Sequence, residues 1–195
     1  MILRRIVAPL ILLASASPAL AHTGHGASGF VHGFAHPLGG IDHVLAMVAV
    51  GLYAAVIGGR ALWLILAAFL GAMAIGGALG VIGYALPHAE IGIAVSVIVL
   101  GLAVALRVSL PTLAAMALVG LFAIFHGHAH GAEMPQSLSG SEYALGFLLA
   151  TAMLHAVGIA LGLAAGRLAE RGGWRIAQAA GAAIAAAGLA LLATS

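Results

Sequence analysis

Between residues 22 and 195 charged side chains are almost absent, and the few arginines stand in every second gap between long apolar stretches. In hydrocarbon each backbone N–H and C=O must find its partner within the protein, so such stretches fold as membrane helices. Six are read, over about 39–58, 61–84, 88–106, 110–128, 142–166 and 174–193, at the roughly 20 residues a bilayer requires. Gly58-Gly59-Arg60, Ala85-Leu86-Pro87, Arg107 to Leu110, Gly131 to Ser141 and Arg167 to Gly173 punctuate them. Only 6% of the residues are charged and 64% are hydrophobic, whereas a soluble domain carries about a quarter and about half. Too little charge exists to cover a water-facing surface, so lipid is the solvent. The expected fold class is all-α, a polytopic membrane helix bundle of about six transmembrane helices.

Residues 1–21 read as a cleaved signal peptide. Arg4 and Arg5 form a positive start, Ile6 to Ala14 an apolar core, and Ala19-Leu20-Ala21 a small-residue cleavage site. Pro9 and Pro18 interrupt the stretch, which argues against an uncleaved first span. Residues 22–195 then form one six-helix domain whose mature N-terminus, His22, is periplasmic in a bacterial inner membrane. Counting spans from there places Arg60, Arg107, Arg167, Arg171 and Arg175 all on the cytoplasmic side, as the positive-inside rule demands. Histidines and acids follow the opposite pattern. His22, His25, His32, His36, His43, His88, His126, His128 and His130 fall at the outer side with Asp42, Glu90, Glu133 and Glu142, and Glu170 is the one internal acid.

Several functions are excluded. The pI near 9.7 reflects scarce acids rather than a basic face, and the isolated arginines make no nucleic-acid footprint. With no cysteine, disulfides and thiolate metal sites are absent. No GxxxxGK[ST] phosphate loop occurs, so ATP does not couple directly to this chain. Gly158, Gly162 and Gly166, and Gly76 with Gly80, are spaced for close helix packing in lipid.

Two constellations carry the chemistry. In His36-Pro37-Leu38-Gly39-Gly40-Ile41-Asp42-His43 the proline and glycines are expected to keep His36 outside regular helix, which would begin near Gly40. His43 and Met47 share a helical face, and Asp42 points about 100° away from it. An ordinary first-turn acid is the plain alternative for Asp42. In His126-Gly127-His128-Ala129-His130-Gly131-Ala132-Glu133, His126 and His130 share a face, while His128 turns away unless the helix frays at its glycines. The plain alternative is a hydrated helix end. His155 lies deep in the fifth span, where an ionisable group is either functional or a neutral imidazole bonded to a carbonyl. Glu90 is a ligand or a first-turn acid. Glu142 is read as structural, in a Ser139-to-Glu142 capping box. His22 suits loose capture of dilute metal.

Imidazole and carboxylate donors without thiolates suit nickel, cobalt or zinc, with copper(II) less favoured; calcium and magnesium want more oxygens. At this point a resemblance enters. The runs HPLGGIDHVLAMVAVGLYAA, PHAEIGIAVSVIVLGL, FHGHAHGAEMP and ATAMLHAVGIALG resemble the HupE/UreJ family of nickel/cobalt permeases over nearly the whole mature chain. That resemblance implies secondary transport of nickel, with some members handling cobalt. It also implies that His36, Asp42, His43, His126, His128, His130 and Glu133 take part in metal passage. Residues 22–195 are then a transmembrane metal-transport domain, and Ni2+ or Co2+ is cargo with no prosthetic group. The partners are the lipid bilayer and the divalent ion, with no nucleic acid and a homo-oligomer left open. The expected path runs from His22 and His25 through His36, Asp42, His43, His126 and His130 to Met47 and His155. A membrane metalloenzyme and a haem-binding helical protein are the rival readings. The first is disfavoured by the absence of HExxH, and no enzyme is expected.

Overall fold

The computed structural model describes residues 28–168 and 172–194, so the leader over 1–21, His22, His25, Glu170 and Arg171 lie outside the described residues. Those described contain seven helices and no strand: α1 Gly29–Gly39, α2 Ile41–Ile57, α3 Ala61–Val81, α4 Ala89–Ala105, α5 Thr112–Ala132, α6 Gly140–Arg167 and α7 Gly173–Leu192. The fold is an all-α membrane bundle. Helices α3, α5, α6 and α7 are each long and apolar enough to cross a bilayer, and α1 with α2 meets the same condition as a pair bent by 83°. Helix α4 has 17 residues, about 25 Å of rise. Each of the six apolar stretches coincides with one of α2 to α7.

Helix α1 departs from expectation. His36 sits in its last turn and Pro37 inside it, and the break falls only at Gly40. Ser28 caps α1, its hydroxyl accepting from the Val31 amide at 3.5 Å. What holds so short a helix is packing: a Cβ at Gly33 would overlap the Tyr143 carbonyl, and one at Gly146 the Phe30 carbonyl. Backbone contact along α6 outweighs the single N–H that Pro37 lacks.

The same device builds the rest of the bundle. Glycines 76, 77 and 80 of α3 face Ile124, Gly131 and His128 of α5, and Gly127 meets the Met73 carbonyl. Gly51 and Gly158 bring α2 against α6, and Gly101 and Gly181 bring α4 against α7. The order of these contacts makes α3 and α5 parallel, α2 and α6 parallel, and α4 and α7 antiparallel, an alternating up-and-down path. Gly127 and Gly131 do not fray the helix, the condition under which His128 would have joined the face of His126 and His130; α5 runs unbroken to Ala132. They are where two backbones touch.

Alternation sorts the ends. Arg60, Arg107, Arg167 and Arg175 lie at one end of the bundle, where the Arg107 guanidinium stacks 4.4 Å from the Trp174 ring centroid. His36, His43, His126, His128, His130 and the acids of α2, α4, α5 and α6 gather at the other end.

Candidate metal site

At the histidine end three helices bring imidazoles together. α2 supplies His43 from its first turn, α5 supplies His126 and His130 from one face of its last two turns, and α1 supplies His36. One ring nitrogen from each of His43, His126 and His130 lies within 4.8 Å of the other two. His43 and His126 are fully buried, and His130 is partly so. A second group, His36, His130 and Glu133, meets the same distance and is more exposed.

His130 belongs to both. Its Nδ1 stands 2.9 Å from His36 Nε2 and its Nε2 3.1 Å from His43 Nδ1. Glu133 Oε2 is 3.2 Å from His36 Nε2 and 3.7 Å from His130 Nδ1. Two imidazole donors on a tetrahedral cation with bonds of about 2.0–2.1 Å sit about 3.3 Å apart. The nitrogens are thus already spaced for a shared ion, and the proton between each pair is what the ion would replace.

Proton counting fixes one tautomer. The Ser96 hydroxyl, on α4, donates its single proton to the Ile93 carbonyl at 2.6 Å, and its oxygen lies 2.9 Å from His126 Nε2. His126 Nε2 must therefore donate, which leaves Nδ1 as a bare lone pair. That Nδ1 is buried and has no hydrogen-bond partner. His43 Nε2 is held 3.3 Å from Thr151 Oγ1 on α6. Such outer partners orient metal-binding imidazoles. Phe147 closes the apolar side, its centroid 4.9 Å from that of His130 and 5.2 Å from that of His43.

The remaining candidates fall elsewhere. Asp42 points away from His43 as the helical wheel requires, and with Glu90, Glu133 and His130 it lines a cavity of about 280 Å³. It belongs to neither three-residue group. Met47 is fully buried in the apolar core one turn below His43. His128 faces the opposite side of α5, where its Nε2 donates to the Tyr84 carbonyl at 2.6 Å. His155 is fully buried in α6 with neither ring nitrogen bonded. The capping box does not form: Ser139 Oγ faces Ser141 Oγ at 3.2 Å, and Glu142 packs against Gly29.

Ser96, Phe69, Phe147 and Thr151 escaped the reading of the sequence. One signal existed: Tyr143, Phe147, Thr151 and His155 recur at spacing four and are all buried, a single face of α6 aimed at the histidines. Chemically, the site offers only nitrogen and oxygen donors, the set that suits borderline divalent metals. The His43 ring makes edge contact with those of His126 and His130 at 5.3 and 4.8 Å, which leaves no slot for a porphyrin plane between them.

The family described as HupE / UreJ protein matches residues 10–191. Protein HupE of Rhizobium leguminosarum bv. viciae is 48% identical over 188 residues, covering 96% of this chain and 97% of that one. No solved structure matches.

Proposed function

We propose, on the premise that this chain belongs to the HupE/UreJ family, that it is a permease importing a divalent transition metal, Ni2+ first and Co2+ second, across the bacterial inner membrane. The observation that carries the reading is the pair of three-donor groups sharing His130 at one end of the bundle. An ion stripped of water needs replacement donors at each step, bound well enough to enter and weakly enough to leave. The exposed His36/Glu133 side of His130 suits first capture, and the buried His43/His126 side suits the dehydrated ion. One ring, presenting Nδ1 outward and Nε2 inward, spans the handover.

The positive-inside rule favours a cytoplasmic arginine end, which turns the histidine end toward the periplasm and supports import over export. A cleaved leader over 1–21 and a periplasmic His22 complete this topology. Asp42 and Glu90 draw cations toward the mouth as fixed negative charges beside His130. Uptake of radioactive nickel and cobalt in competition, by cells expressing the chain, tests the reading. Accumulation of either metal that falls in His43→Ala and falls further in His130→Ala is expected; equal accumulation in cells with and without the chain overturns it.

A further inference from the structure

Deeper in the bundle than the trio, one imidazole is buried among apolar side chains. His155 is fully buried on α6, and both its ring nitrogens lack partners. A neutral imidazole carries one donor and one acceptor, and leaving both unmet in the interior is unfavourable. Ordinary packing would select leucine there. Thr151, which holds His43, stands on the same face of α6, so His155 lies one helical turn, about 5.4 Å, further in. One ring touches both His126 and His155: the Phe69 centroid is 6.1 Å from that of His126 and 4.9 Å from that of His155, edge-on to the latter at 83°.

We propose that His155 is a second, inner binding position for the divalent cation, filled from the Nδ1 of His126 past the side chain of Phe69. Two observations converge on it. The lone pair that Ser96 leaves free on His126 has no hydrogen-bond partner, and neither do the nitrogens of His155. Phe69 is in ring contact with both histidines, so the proposed handover passes along that ring. The ion then passes from one imidazole to the next deeper one. This inference rests on the trio being the entry site.

The test uses the full chain. Radioactive nickel uptake by cells, normalised to chain in the membrane, is compared with equilibrium nickel binding to the purified protein. His155→Leu is expected to lower uptake at least about tenfold while nickel binding at the trio stays within about twofold. His155→Met, which keeps a thioether donor of similar volume, is expected to recover much of the loss. Unchanged uptake in His155→Leu overturns the inner position, as does loss of nickel binding together with uptake in both variants, which would make His155 a packing element of the trio. If instead the unaltered chain carries no metal, the entry-site reading itself has failed.

Discussion

Ser96 sets the tautomer of His126: its only proton is donated to the Ile93 carbonyl, so its oxygen accepts a hydrogen bond from the imidazole Nε2–H at 2.9 Å. The consequence is a buried lone pair on Nδ1, on a ring grouped with His43 and His130. Ser96→Ala is expected to leave Nε2–H buried without a partner and to let the ring adopt either tautomer. Nickel affinity should fall about 10- to 100-fold, the range for losing an outer partner of a metal ligand. Equilibrium binding to purified protein checks this, and an affinity within twofold of the parent would show the tautomer to be set by something else.

The shared position of His130 separates two kinetic effects. His36→Ala removes one donor from the outer group alone, so the concentration for half-maximal uptake should rise with the maximal rate nearly kept. His43→Ala removes an inner donor and should lower the maximal rate. His130→Ala breaks both groups and should show both defects. Uptake measured over a range of nickel concentrations distinguishes them, and a purely rate-lowering His36→Ala would contradict the outer assignment.

The glycines divide by what surrounds them. At Gly127 a Cβ would collide with the Met73 carbonyl, whereas at Gly71, also helical, nothing lies within 4 Å. Gly127→Ala must force α3 and α5 apart, carrying His126 and His130 with them, at about 3 kcal/mol or more. Gly71→Ala is expected to stabilise slightly, by about 0.5–1 kcal/mol. Thermal unfolding in detergent should rank them so, with Gly127→Ala also losing nickel binding.

How far the sequence reached follows from these residues. Spans were legible because hydropathy and arginine placement report on the bilayer, which acts on every residue alike. Helix α1 was not: Pro37 and the glycine pair read as a stop, and only contact with α6 shows why the helix persists to Gly39. Gly127 and Gly131 were read by their local freedom, while their actual role is set by a helix 50 residues away. His43, His126 and His130 could be named, yet their sharing of an ion-sized space depends on how α2 and α5 cross. Ser96 and Thr151 are single hydroxyls in apolar runs and carry no pattern until a partner is placed beside them.

His128 gives the last and sharpest test, because the family resemblance includes it in metal passage and the geometry turns it away. It follows His126 by two residues on an unbroken helix, which places it about 160° around the axis, on the far face. There its Nε2–H meets the Tyr84 carbonyl at 2.6 Å and ties α5 to the turn after α3. His128→Ala is expected to lose that buried hydrogen bond, costing about 1–3 kcal/mol of stability, while nickel binding at the trio persists. His128→Gln keeps an N–H donor within reach of the carbonyl and should recover part of the stability. Measuring unfolding and nickel binding on the same samples decides the matter: a His128→Ala chain that unfolds at the parent temperature yet binds nickel poorly would move His128 into the metal path and α5 out of the register described above.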